Sequence, residues 1–156
     1  MNDFNGVINA LWTVLEADET WAGLMTKGTK YKFASGELLR KLEYESAWCP
    51  IFAIAPEASG SRIAPARRRR GKDLWEIFSI RVEGATAGQD RAPCLALLAA
   101  FHAALSTEME SGSTLIALGV DEIEFDGLAF DPTPNANMVI ETWKFSLTAG
   151  VKFREG

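Results

Sequence analysis

Residues 138 to 153 alternate in character over nearly their whole length, and such a segment commits the chain to building a sheet around it. Val139, Glu141, Trp143, Phe145 and Leu147 fall on one side, with Ile140, Thr142, Lys144, Ser146 and Thr148 on the other. A period of two is strand geometry, since successive side chains point to opposite faces. A long strand is stable only with partners, and the sequence supplies them. In Leu74 to Glu83, the β-favouring residues Trp75, Ile77, Phe78, Ile80 and Val82 predict a strand that Gly84 would end. Ile51 to Ala55, bounded by Pro50 and Pro56, predicts a shorter one. Thr114 to Val120 and Glu122 to Phe130 are two more strand-like runs, with turn signals at Gly119 and Gly127.

Two segments have helical periodicity instead. Phe4, Val7, Ile8, Leu11 and Leu15 recur along one stripe, with Asp3 placed as N-cap, which predicts a helix over about residues 3–17. Asp18 is placed to cap a second short piece carrying Trp21, Leu24 and Met25, which Gly28 would stop. Pro93 opens another helix, about residues 91–109, with Cys94, Leu97, Leu98, Phe101 and Leu105 on its stripe. Between Lys27 and Trp48 the pattern is ambiguous: Tyr31 and Phe33 alternate with lysines, and Glu37 to Leu42 fits a helical turn or a strand. The expected fold is α+β, a single antiparallel or mixed sheet with two main helices packed on one face, forming one domain over 1–156.

Length and composition permit such a fold without staples. A chain of 156 residues buries roughly 70% of its unfolded surface. Its two cysteines, Cys49 and Cys94, are isolated and fit a reducing compartment better than a disulfide framework. The N-terminus lacks the basic region of a signal peptide, and the weakly polar run Pro93 to Leu105 is shorter than a membrane span. The expectation is a soluble protein made in the cytoplasm, with no membrane partner.

Most chemistry is excluded motif by motif. A phosphate-cradling loop ending at Gly71-Lys72 would need glycine at Ala66 and a hydroxyl at Asp73. Gly84 and Gly88 are too few and too far apart for a dinucleotide turn. No glutamate is followed two residues later by lysine, as an Asp…Glu-x-Lys nuclease core requires. One histidine and two distant cysteines do not make a four-ligand zinc site. His102, at the margin of the second main helix's stripe, fits a structural or surface role; as a base or ligand it has no nucleophile to pair with. We expect no catalytic residue, no metal and no cofactor.

Charge is the distinctive property. Arg62, Arg67, Arg68, Arg69, Arg70 and Lys72 lie together without an acid. The rest of the chain has ten basic residues against twenty-one acids, a balance of -11 within an overall -5. Residues 57 to 72 carry Gly60, Pro65 and the arginine run, and are expected to form a loop or a mobile hairpin tip. Arg67, Arg68, Arg69 and Arg70 suit contact with phosphates, docking on an acidic protein surface, or a plain solvated loop. The acidic body and the lack of interleaved aromatics weigh against a dedicated nucleic-acid reader. Glu122, Glu124 and Asp126 share one face of a strand, with Ile123 and Phe125 on the other. That acidic face is a solvated surface, a cation site, or a surface that meets a basic partner or repels passing DNA. Trp75, Phe78, Trp143 and Phe145 fit sheet packing, whereas Trp12 and Trp48 could belong to an interface.

The order and texture of the segments resemble a known family. The N-terminal VINALWTVLEAD (Val7 to Asp18) precedes WCPIFAIAP (Trp48 to Pro56), and a polar loop leads into DLWEIFSIRVEG (Asp73 to Gly84). The helix LALLAAFHAAL (Leu95 to Leu105), the acidic IEFDGLAFDP (Ile123 to Pro132) and a long Trp-bearing strand follow. Over nearly its whole length the chain resembles the tail terminator, or tail completion, proteins of long-tailed bacteriophages and gene transfer agents. The resemblance implies a sheet flanked by helices that assembles as a homo-hexameric ring in the virion neck. Such a ring caps the tail tube, ends its polymerisation and presents a surface to the head-completion or connector protein. Its partners would be its own copies, the tail tube protein and the connector, with DNA only passing through the lumen and no catalysis or cofactor. Within that frame Arg67 to Arg70 would reach an acidic surface of a neighbour or of the tube. Glu122, Glu124 or Asp126 would help line the lumen. Rival readings are another neck, head-completion or tube-like subunit, a DNA-binding accessory protein acting through residues 62–72, and an enzyme whose site is dispersed.

Overall fold

The structure, a computed structural model, describes residues 3–32, 34, 35, 39, 45–57 and 65–155. Helix α1 (Phe4–Ala17) starts where Asp3 accepts a hydrogen bond from the Gly6 N–H at 2.7 Å. Asp18 ends α1 and caps α2 (Glu19–Leu24), accepting from the Trp21 N–H at 2.9 Å. Both caps are legible in the sequence, because a short carboxylate before an apolar stripe satisfies amide groups that the helix itself leaves unpaired.

The described strands form one six-stranded mixed sheet, and with the helices they make an α+β fold. They are β1 (Thr29–Tyr31), β2 (Ile51–Pro56), β3 (Ala66–Arg70), β4 (Asp73–Ala87), β5 (Val120–Pro134) and β6 (Ile140–Glu155). The path runs β1-β2-β4-β6-β5, with β3 paired to β4 beyond the end of β2. Only β1 and β2 are parallel; every other pairing is antiparallel. Strands β2 and β3 run in one direction along the same edge of β4. Ile51–Pro56 cover Ile80–Ala85, the Glu57 N–H donates to the Ser79 carbonyl, and Ala66–Arg70 cover Asp73–Ile77.

Helix α3 (Ala92–Ser111) lies with α1 over one face. It is twenty residues long with a mean hydropathy of 1.3, long and apolar enough to cross a membrane by length and composition. It exceeds the shorter apolar run read from sequence, yet Cys94, Leu97, Ala100, Phe101, Ala104 and Leu105 are buried in the protein's own core. Under the helices sit Phe52, Ile54, Phe78, Ile80, Val82, Phe145, Leu147, Ala149, Val151 and Phe153. Phe52 is the centre, with ring centroids at 5.6 Å from Trp12, 5.2 Å from Trp21, 5.5 Å from Phe101 and 6.2 Å from Phe145. Behind β2 a smaller cluster of Ala34, Leu39, Ala53 and Ala55 covers the opposite face. Strand β2 is therefore buried on both sides, which explains its unbroken apolar sequence.

Two expectations are corrected and a third is narrowed. Thr114 to Val120 is not a strand: Thr114–Leu118 forms the short helix α4. Its β-branched residues mimic a strand, but the Leu115 N–H donates to Glu108 Oε1 at 3.0 Å and Leu115 is fully buried. Gly119 at φ 97° then ends α4 in the left-handed conformation. Gly84 does not terminate β4 but lies inside it, because a Cβ there would stand 2.4 Å from the Phe145 ring. For the arginine run the loop alternative gives way to the hairpin one: Arg67–Arg70 belong to β3, and Gly71 and Lys72 form the turn to β4. The ambiguous segment contains β1 and one 3₁₀ turn, Ser46–Trp48, while Phe33, Glu37 and most of the residues up to Leu42 lie outside those described.

Because Phe52 joins α1, α2, α3 and β6, Phe52→Ala should destabilise the fold by about 3–5 kcal/mol. Chemical denaturation checks this; a loss below about 1 kcal/mol would show that the aromatic cluster is not the core's centre.

Candidate assembly surfaces

Pairing across an antiparallel sheet puts partner residues on the same face, so the register sorts the charged side chains. Arg68 and Arg70 lie opposite Trp75 and Asp73 on the face away from α1 and α3. Arg67 and Arg69 lie opposite Glu76 and Leu74 on the helix side. The run is thus split two and two, and all five residues of β3 are exposed. Arg67 Nη2 stands 3.9 Å from Glu76 Oε2 and 4.0 Å from Glu155 Oε1. Among the described residues no salt bridge holds Arg68, Arg69 or Arg70. Arg62 lies outside the described residues.

At the opposite margin, β5 carries Asp121, Glu122, Glu124, Asp126 and Asp131 and no basic residue. Glu122, Glu124 and Asp126 do share one face, as their spacing predicts, and their β6 partners are Lys152, Gly150 and Thr148. That face is not uniformly negative. Lys152, mostly covered, bonds Glu124 and stands 3.7 Å from Glu122. The hydrogen bond and charge of Lys152 hold the Glu124 carboxyl below its ordinary range, with a smaller contribution from Arg68. Beside them, Asp121 Oδ2 accepts from Trp75 Nε1 at 3.1 Å and pairs with Arg154 at 3.5 Å, while the Arg154 guanidinium lies 5.4 Å above the Trp75 ring. Trp75 therefore serves a polar cluster on the face away from α1 and α3 and not the core. Arg81 bonds Glu83 at 3.2 Å and Ser146 at 3.3 Å farther along that face.

The remaining candidates separate cleanly. Trp12 is buried, donating to the Lys32 carbonyl at 2.7 Å, so it is core; Trp48 is exposed. Trp143 stacks on Phe130 at 5.3 Å and donates to the Gln89 carbonyl at 2.9 Å. His102 is exposed with its ring 5.1 Å from Phe125, and no acid–base pairing is formed around it among the described residues. It lines an open apolar groove of about 710 Å³ between α3 and the β5 irregularity, bordered by Leu95, Leu98 and Leu128. The sequence hides this groove, because α3 is apolar nearly all round and its periodicity does not mark which face is covered. No group of three or more His, Cys, Asp or Glu that could hold a metal occurs among the described residues. Burial pushes the Cys49 and Cys94 thiols up to about 11, leaving both poor nucleophiles.

Neither a protein-family model nor a curated protein matches the sequence. Among solved structures, a chain from the virion of a native gene transfer agent particle is similar, with TM-score 0.52 and 13% sequence identity. The match covers 96% of this chain and 95% of that one. At that identity the likeness establishes a common fold across the whole chain.

The Lys152–Glu124 contact has a measurable consequence. A carboxyl depressed in the folded state contributes stability above its unfolded pKa and loses it as pH falls through the folded value. Glu124 is exposed, so the contribution is small. Lys152→Gln should move the Glu124 titration midpoint upward toward the ordinary range, read by carboxyl NMR. An unmoved midpoint would show that Lys152 is not its cause.

Proposed function

We propose that this chain is a structural virion protein that forms a ring capping a tail tube, ends tail polymerisation and provides the head-to-tail joining surface. The observation that carries the reading is the end-to-end fold likeness to a gene transfer agent virion chain. It is supported by the segment order that resembles tail terminators. Oppositely charged strands at the two margins of one sheet add to it, since a ring needs one patch to meet a different patch on the neighbour. The groups displayed are exposed charges and an apolar groove, suited to protein contacts and not to bond-making. In this reading the partners are further copies, the tail tube protein and the connector, with DNA passing through the lumen.

Arg67 to Arg70 then belong to a subunit or tube interface. Glu122, Glu124 and Asp126 reach the lumen only if the face away from α1 and α3 turns inward, where Lys152 and Arg154 accompany them. That mixture of signs favours an assembly role for the acids over simple repulsion of DNA. A second reading, nucleic-acid contact through β3, is favoured by the exposure of its four arginines. Its signature is DNA affinity that falls steeply as salt rises.

Native mass spectrometry over a concentration series, with negative-stain images of large species, tests the ring. The expected species is a closed hexamer with a central hole. A chain that remains monomeric at every concentration and does not seat on tube ends contradicts the proposal.

A further inference from the structure

We infer that copies of this chain join edge to edge, β3 of one copy adding as an antiparallel strand to β5 of the next, with Arg68 and Arg70 facing Glu124 and Glu122. The inference rests on the ring reading and names the contact that closes it.

The two strands lie at opposite margins of the sheet. Among the described residues, β3 pairs only with β4 and β5 only with β6. With respect to the described residues, each therefore presents an outer row of amide and carbonyl groups available to another chain. The usable stretches match in length. β3 spans the five residues Ala66–Arg70, and on β5 the regular run Glu122–Asp126 is bounded by irregularities at Val120/Glu122 and Asp126/Ala129.

Topology fixes the direction. β3 and β6 run antiparallel to β4, and β5 runs antiparallel to β6, so β3 and β5 point opposite ways. An assembly that continues the sheet around an axis along the strands keeps those directions. It sets β5 beside the next copy's β3 in antiparallel pairing without further adjustment. Face parity agrees as well. Arg68 and Arg70 occupy the face away from α1 and α3, as do Glu122, Glu124 and Asp126. Aligning Arg68 with Glu124 puts Arg70 beside Glu122 and Ala66 beside Asp126. Arg67 and Arg69 then meet Phe125 and Ile123 on the helix side, where arginine stems can lie along apolar surface.

Charge selects this pairing over its alternatives. Joining two β3 edges would oppose arginine to arginine, and joining two β5 edges would oppose acid to acid. Like charges directly across strands are destabilising and opposite charges stabilising. Of the pairings these two edges allow, only β3–β5 brings opposite signs together, and it is head-to-tail, the kind that closes rings. The same charges forbid the two-fold dimers that would compete with it. Glu124 would sit between its own Lys152 and the neighbour's β3.

Charge reversal in the full chain tests the inference. Arg68→Glu with Arg70→Glu gives two acidic edges, and Glu122→Arg with Glu124→Arg gives two basic ones. Each variant alone should need a more than tenfold higher concentration to assemble. An equimolar mixture should recover assembly as species holding even copy numbers, one to one by native mass spectrometry. Folded variants whose mixture fails to assemble, or that each assemble normally alone, overturn the edge contact.

Because reversing Glu124 places arginine against Lys152, a further variant guards against misfolding: Arg68→Cys with Glu124→Cys, oxidised under mild conditions. The native thiols, pushed up to about 11, compete poorly. A ladder of disulfide-linked multimers supports the contact. Intrachain or absent linkage in a chain whose unsubstituted form makes rings overturns the edge contact and leaves the ring reading standing. Absence of any assembly in the unsubstituted chain as well overturns both.

Discussion

Phe52 is the point on which the structure turns. Its ring touches Trp12 of α1, Trp21 of α2, Phe101 of α3 and Phe145 of β6, so one side chain ties both main helices to the sheet. Aromatic pairs of this edge-on kind add to the area they bury. The same packing leaves no room for a side chain at position 84, where the Phe145 ring crosses the strand. A glycine in the middle of the longest sheet pairing is thus a consequence of the core. With α1 and α3 held on one face, the sheet keeps a polar cluster around Trp75 and Lys152 on the other and two margins of opposite charge.

Those margins connect the fold to the assembly proposed for it. The fifteen residues of β4 and sixteen of β6 pair along fourteen positions, a rigid central ribbon. β3 hangs on one side of that ribbon and β5 on the other. Arginines displayed on such a frame do not wander as they would in a loop: the hairpin sends two to each face and fixes their spacing. Likewise the acids of β5 are partly drawn inward by Lys152, so what they present outward is a defined row and not a diffuse negative cloud.

Much of this is legible in the sequence, for physical reasons. Asp3 and Asp18 mark helix starts because short carboxylates cap free amides, and both do so in the fold. The alternation from Val139 to Thr148 and the apolar run of β2 are equally plain. Other features depend on contacts made across the fold. Thr114–Leu118 contains β-branched residues, and only the Glu108 carboxylate and the burial of Leu115 decide for a helix. The arginines read as a loop or a hairpin tip because like charges disfavour an isolated strand; pairing with β4, and carboxylates of Glu76 and Glu155 from two other strands, decide for the hairpin. Trp75 has the character of a core residue, but its register sends it to the face away from α1 and α3, toward Asp121 and Arg154. The acidic face follows from spacing alone, while Lys152 is invisible from β5 because it reaches the cluster from a neighbouring strand.

Hydrogen exchange, followed residue by residue on the assembled species and on the dissociated chain, tests whether copies join through the β3 and β5 edges. Backbone amides that gain an intermolecular partner become protected, whereas side-chain contact alone leaves edge amides open. New protection confined to residues 66–70 and 122–126 is the predicted result. Protection gained instead around Leu95 and Leu128, with both strand edges unchanged, would show that copies meet through the apolar groove and not edge to edge.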